Sequence, residues 1–188
     1  MQAASSLFAQ VGFAAATIEA IAAEADVAVE TVYSRFRNKS NLLDAILGPA
    51  ITGRDDGAKL FERSEIAEIR SCRDQRRQVA MLVSFSRGVL ERTHEIHRIL
   101  HAAAAMDANA ASLERTDQQR RRRSQAVYID ILVASGGLRQ GLSKEMAADT
   151  YAALATPQTY AFFVDQLGWT SMQFEGWLAD ALVRLLLP

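Results

Sequence analysis

The chain has 188 residues, a formal net charge of −1 and 49% hydrophobic side chains. That length accommodates one domain, or a small one joined to a medium one; the apolar share excludes low-complexity disorder, and the balanced charge offers no sign of a polyanionic partner. Alanine fills 33 positions and proline only three; alanine is the best helix former and proline the worst, so an almost wholly helical, all-α protein is predicted.

No apolar run approaches the roughly 20 residues that cross a bilayer. No basic stretch leading into an apolar core opens the chain, so no signal peptide is expected. The single cysteine, Cys72, excludes a disulfide framework. A cytoplasmic protein with no membrane partner is the expectation.

In chain order, the apolar periodicity predicts helices throughout and no strand. The first runs from about Ala3 to Val11 and ends at Gly12, a residue suited to the left-handed position after a helix. Thr17 caps a second helix, Ile18 to Ala25, Asp26-Val27 makes a tight turn, and a third helix covers Val29 to Phe36. Asn38 or Ser40 caps a fourth, which carries Leu42, Leu43, Ile46 and Leu47. Gly48-Pro49 follows, where the proline either ends the helix or bends it. Gly53 to Ser64, with Asp55 and Asp56, reads as a linker. Amphipathic helices then occupy about 74–92, 94–105, 108–135, 144–155, 157–167 and 171–187. Ser143, Thr156-Pro157 and the Thr170/Gln173 capping box start helices, and Gly136-Gly137, Gly141 and Gly168 interrupt them.

The informative segment is Leu7 to Leu47. Leu7, Phe8, Ile18, Ile21, Ala22, Val27, Val32 and Phe36 are spaced to close a small three-helix core, leaving one short helix free to lie in a DNA major groove. Leu7-Phe8, Gly12-Phe13, Thr17, Ile21-Ala22, Ala25-Asp26-Val27, Thr31-Val32-Tyr33, Phe36, Lys39 and Leu42-Leu43 stand at fixed spacing over about forty residues. In this the segment resembles the N-terminal domain of the TetR/AcrR family of bacterial transcription regulators.

The resemblance implies a helix-turn-helix DNA-binding domain over 1–47 and a helical ligand-binding and dimerisation domain over 48–188. It places Val29, Glu30, Thr31, Ser34 and Arg35 on the recognition helix, and makes Tyr33, Lys39 and Thr17 phosphate contacts. Helix N-termini do bind phosphates, and such contacts set register without reading sequence. Three positions depart from the family pattern. Asp26 replaces a turn glycine and should keep the left-handed turn; Ala28 replaces a serine cap; Glu30 replaces a common glycine and could accept from a cytosine amine. The family's basic arm ahead of Ala3-Ala4 is not in the sequence given. Residues 1–47 hold three bases, all between Arg35 and Lys39, against five acids, a net of −2. The expected function is a homodimeric repressor released from a palindromic operator by a small apolar or amphipathic ligand. An interaction scaffold that has lost DNA binding, or an activator without a ligand, are the alternatives.

For the ligand, Met81, Phe85, His97, Leu100, His101, Met106 and Tyr128 are candidate lining residues. His94, His97 and His101 share one helix face, but the sequence shows no cysteine or carboxylate cluster to complete a metal site. The run Arg120 to Arg123 covers every side of a helix and reads as a solvated, ion-paired surface. For the dimer, Phe174, Trp177, Leu178, Ala181, Leu182 and Leu185 recur at three and four residues as one stripe, joined by Tyr160, Phe163, Val164 and Leu167 from the preceding helix. No nucleophile elbow, Gly-rich phosphate loop or paired carboxylates are present, so no enzyme activity, cofactor or metal is expected.

Overall fold

The structure is a computed structural model that describes residues 1–53 and 60–188. It is all-helical, with no strand among the described residues. The head comprises α1 (Gln2–Ala15), α2 (Ile18–Glu24) and α3 (Val29–Phe36); α4 (Lys39–Thr52) leads out of it. The body comprises α5 (Ser64–Ser71), α6 (Gln75–Ala104), α7 (Ala108–Val133), α8 (Lys144–Leu154), α9 (Pro157–Ala161) and α10 (Ser171–Leu186).

The start signals act as read. Thr17, Asn38, Ser143 and Thr156 each accept a hydrogen bond from the backbone N–H three residues on, and Thr170 with Gln173 forms the full capping box. Ala28 supplies no side-chain cap to α3. Gly12 takes φ 78° and breaks α1, which resumes for one more turn. Asp26 takes φ 52°, the left-handed geometry expected of it. Arg37 at φ 65° was not foreseen; its N–H closes α3 on the Tyr33 carbonyl.

Four expectations change. The segments 74–92 and 94–105 are one 30-residue helix, α6, about 45 Å long. Nothing between them breaks a helix, and Thr93 returns its hydroxyl to the Val89 carbonyl at 2.8 Å. Within the expected linker Leu60–Glu62 form a tight helical turn and α5 begins at Ser64; Asp55 and Asp56 lie outside the described residues. The helix expected over 157–167 widens after Ala161 into a π-helical turn, Phe162–Gln166, in which the Leu167 N–H reaches the Phe162 carbonyl. Finally, α4 does not end at Gly48-Pro49 but runs through it to Thr52.

Two apolar cores result. The lower one gathers Phe8, Ile18, Ile21, Val32, Leu42 and Leu43 from the first four helices, yet it is completed by Ile99, Leu100 and Ala103 of α6 and Ala110 of α7. The upper one lies in the body around Leu82, Tyr128, Leu132, Tyr151, Phe174 and Leu178. Between them α6 and α7 carry a buried polar layer: Thr93, His97, Asp117 and Gln125.

Candidate nucleic-acid interface and body cavity

α3 is short, and its two sides differ. Val32 is buried, and Val29 and Phe36 pack partly against the lower core. Glu30, Thr31, Tyr33, Ser34 and Arg35 face solvent, with Tyr33 46% exposed. Of the expected base-reading set, Val29 is thus held partly inward by packing. The Ser34 hydroxyl donates to the Thr31 carbonyl at 3.0 Å, and Glu30 has no partner among the described residues. Thr17 accepts from the Ala20 N–H at 3.1 Å, which leaves its own hydroxyl proton free at the exposed start of α2.

Lys39 holds a position that the sequence did not disclose. Its ammonium donates to the carbonyls of Phe13 and Ala14, at 2.6 and 3.2 Å, and lies over the Phe13 ring. Two of its three N–H donors therefore close the last turn of α1, leaving one to meet another group.

The head is tied to the body by polar contacts. Ser40 donates to Asp107, which also caps α7, and Arg120 pairs with Asp44 at 2.9 Å. At the far end of α4, Arg92 donates to the Ala50 and Ile51 carbonyls at 2.9 and 3.3 Å, and Arg63 to the Thr52 carbonyl at 2.8 Å. Two guanidiniums thus sit on the negative end of that helix. Three of the four arginines of the run are ion-paired: Arg120 with Asp44, Arg122 through two hydrogen bonds to Asp149, and Arg121, against the expectation of a solvated surface, with the buried Asp117.

A cavity of about 90 Å³ opens between α4, α6, α7 and the start of α9. Val89, Leu90, Tyr128 and Ala155 supply its apolar wall, and His97, Asp117 and Gln125 its polar wall. His97 donates from Nδ1 to the Thr93 carbonyl at 2.8 Å, while its Nε2 lies 3.0 Å from Asp117 Oδ2. Both ring nitrogens thus face oxygen acceptors. Arg121 Nε is 2.9 Å from the same carboxylate oxygen but off the line of a hydrogen bond, so it supplies charge. Burial pushes the Asp117 carboxyl up; the His97 hydrogen bond and the charges of His97, Arg121 and Arg120 outweigh that and hold it below the usual carboxylate range. Its other oxygen, Oδ1, is buried without a partner, as is Gln125 Oε1. Such bare acceptors cost about 1–3 kcal/mol each.

Of the seven expected lining residues, His97 and Tyr128 border this cavity. Met81 and Phe85 line a separate surface groove with Arg63 and Arg92. Leu100 is committed to the lower core, and His101 lies at another surface groove with its Nδ1 2.7 Å from Glu114. Met106, in the turn between α6 and α7, is 70% exposed and lines none of it. Asp117 and Gln125 were missed because the sequence presents them as ordinary polar positions on a charged helix. His94 Nε2 stands 3.7 Å from Asp165 and 3.8 Å from Glu95, the one grouping of metal-ligand type among the described residues. Each histidine thus meets its own carboxylate, and the three do not converge on a point.

The expected dimer stripe divides in two. Phe174, Leu178 and Leu182 are fully buried in the upper core, with Tyr160 beside them. Spaced by four, they follow one side of α10, and α6 and α8 cover that side. Trp177, Ala181 and Leu185 lie alongside that stripe and are less covered: Trp177 still packs on the core, its ring 5.7 Å from Phe174, Ala181 is half-buried and Leu185 is exposed. With the half-buried Phe163 and Val164 and the exposed Leu167, they form an apolar surface rimmed by exposed Phe162 and Met172.

The chain thus joins a helix-turn-helix at its start to a cavity-bearing helical body. Residues 1–46 match the model of the bacterial regulatory proteins, tetR family. Three solved structures share the fold. A transcriptional regulator from Saccharomonospora viridis, solved in complex with choline, is 18% identical over 100% of this chain and 95% of its own, with a TM-score of 0.70. A TetR-family transcriptional regulator from a Rhodococcus species is 16% identical over 98% and 94%, with a TM-score of 0.70. Another from Mesorhizobium loti is 18% identical over 100% and 94%, with a TM-score of 0.63. No curated protein matches the chain in sequence. The family match is thus confined to the head, while the solved structures share the fold along the whole chain. No helix among the described residues is long and apolar enough to cross a membrane.

Proposed function

We propose that the protein is a homodimeric repressor whose grip on a palindromic operator is released by a small molecule bound in the body. The observation that carries the reading is the two-sided α3: Val32 and Phe36 anchor it, and Thr31, Tyr33, Ser34 and Arg35 stand free. In this reading Glu30, Thr31, Ser34 and Arg35 meet base edges, with Val29 at the edge of the contact, while Tyr33, Thr17 and the remaining Lys39 donor meet phosphates. Residues 1–47 are the DNA-binding domain and 48–188 the ligand-binding and dimerisation domain.

The dimer forms through Trp177, Ala181, Leu185, Phe163, Val164 and Leu167, an apolar surface whose Trp177, Phe163 and Val164 also pack on the subunit's own core. It sets two α3 helices about 34–36 Å apart, one turn of B-DNA. The cavity touches both α4, through Ile51, and the ion pair that ties α7 to α4, through Arg120. A ligand favouring one arrangement of these contacts shifts the heads, and a coupling of roughly 1–3 kcal/mol weakens DNA binding about 5–150-fold. That the Saccharomonospora viridis structure holds choline supports a small-molecule ligand for a protein of this fold.

The test is selection of duplexes from a random pool by the full chain, followed by a salt titration of the recovered sequence. The expected result is a pseudo-palindrome with half-site centres about 10 base pairs apart and affinity that falls steeply with salt. Recovery of no duplex at low salt overturns the reading.

A further inference from the structure

We propose that His94 Nε2, Glu95 Oε1 and Asp165 Oδ1 form a site for one divalent transition-metal ion, zinc above all, with water as the fourth ligand. His94 and Glu95 stand on α6, and Asp165 comes from the π-helical turn ahead of α10, so no sequence spacing announces the set. Single π turns of this kind recur at functional sites. The three residues lie outside the lining of the body cavity. One ligand atom from each lies within 4.8 Å of the other two. Nε2 stands 3.7 Å from Asp165 Oδ1 and 3.8 Å from Glu95 Oε1. Zinc bonds of about 2.1 Å set the ligand atoms of a tetrahedron about 3.4 Å apart, close to both of those spacings. The Glu95 and Asp165 side chains are 50% and 39% exposed, which leaves them the freedom to close the remainder.

The surroundings aim two of the three ligands. His94 Nδ1 lies 3.1 Å from the Leu90 carbonyl and 3.2 Å from that of Glu91. A carbonyl only accepts, so Nδ1 carries the proton, and in the neutral ring Nε2 is the bare nitrogen. Metal-binding imidazoles are oriented by this kind of outer hydrogen bond. The Tyr160 ring, 5.0 Å away, packs against the imidazole, which is 16% exposed. Arg98 takes Glu95 Oε2 through two hydrogen bonds, and Oε1 is the oxygen nearer His94. Neither carboxylate comes within hydrogen-bond distance of Nε2. A nitrogen lone pair and two anionic oxygens thus converge with no hydrogen bond between them, and a dication relieves that meeting and balances the two carboxylates. Calcium and magnesium favour shells of six or more oxygens, whereas imidazole with carboxylates suits zinc and its neighbours.

The test is calorimetric titration of the untagged, chelator-treated full chain with zinc chloride, and separately with magnesium chloride, near neutral pH. The expected result is one zinc ion per chain, bound at least tenfold tighter than magnesium, and a Tm that rises with zinc. Asp165→Asn and His94→Gln should each weaken zinc tenfold or more. Asp165 is exposed, so its variant keeps the fold and decides the question even if His94→Gln does not fold. Cys72→Ser and His101→Gln remove a thiol and an exposed imidazole elsewhere on the chain, and should leave zinc affinity unchanged. No zinc binding, equal affinity for magnesium, an unchanged affinity in Asp165→Asn, or a loss of affinity in Cys72→Ser or His101→Gln overturns the proposal.

Discussion

The Lys39 ammonium lies 2.6 Å from the Phe13 carbonyl oxygen and 4.6 Å from the centre of the Phe13 ring. One side chain thereby closes the kinked end of α1 and stands at the surface proposed to meet a phosphate. Lys39→Met keeps the stem and removes the charge. It should cost about 1–2 kcal/mol of stability and lower the slope of log affinity against log salt by about 1. Denaturant unfolding and salt-dependent duplex binding read the two effects separately. A fall in stability with an unchanged salt slope assigns Lys39 to the α1 tie alone.

The two guanidiniums on the end of α4 make a second prediction. Arg92 donates to two of the last carbonyls of that helix, and Gly53, whose φ is 68°, leaves room beside the Arg92 head. Arg92→Met should destabilise by about 1 kcal/mol, or roughly 2–4 °C in Tm for a chain of this size. If α4 transmits the ligand signal, the same variant changes the ligand concentration needed to release DNA. An unaltered response with a lowered Tm limits Arg92 to a structural role.

The two sides of α10 yield opposite outcomes from one kind of substitution. Leu182 is fully buried and Leu185 is 38% exposed. Leu185→Glu should leave the helical spectrum intact and yield monomers in sedimentation. Leu182→Glu buries a carboxylate in the upper core and should lower stability by more than about 3 kcal/mol. A dimer that survives Leu185→Glu removes this face from the proposed interface.

Here the reach of the sequence differs sharply between regions. The head was legible where its signals are local, in the caps at Thr17 and Asn38, the left-handed Asp26 and most of the apolar spacing; Val27, expected in the core, is 43% exposed, and α6 and α7 complete the closure. α10 was not, because it is apolar on both sides. Whether Phe174 or Trp177 turns inward depends on what α6 and α8 present, which no spacing rule contains. The same holds for the cavity. His97 and Asp117 lie 20 residues apart on different helices, and only the antiparallel packing of α6 on α7 brings them together. α5 was overlooked although Ile66 and Ile69 marked its buried side, since eight residues amid charged neighbours give a weak period.

Acid should act through Asp117. Its carboxyl titrates below the usual range in the folded chain, so the ionised group stabilises the fold. That contribution is complete above the ordinary carboxylate value of about 3.9 and is lost as pH falls through the lower folded value. Asp117→Asn should therefore flatten the decline of stability below about pH 4, at the expense of lower stability near neutrality. Circular dichroism of acid unfolding, with both proteins in the same buffer series, checks it. Parallel declines in the two proteins place the acid sensitivity elsewhere.

The polar layer of Thr93, His97, Asp117 and Gln125 also decides how far damage travels. On α6 the last buried apolar residue of the upper core, Leu90, and the first of the lower core, Ile99, are about 13 Å apart along the axis. A side chain trimmed near Phe8 leaves its void among the neighbours of Phe8, and one trimmed near Phe174 leaves its void there. Substitutions in the head and in the body should therefore act independently on stability, provided that the narrow polar floor between them is kept.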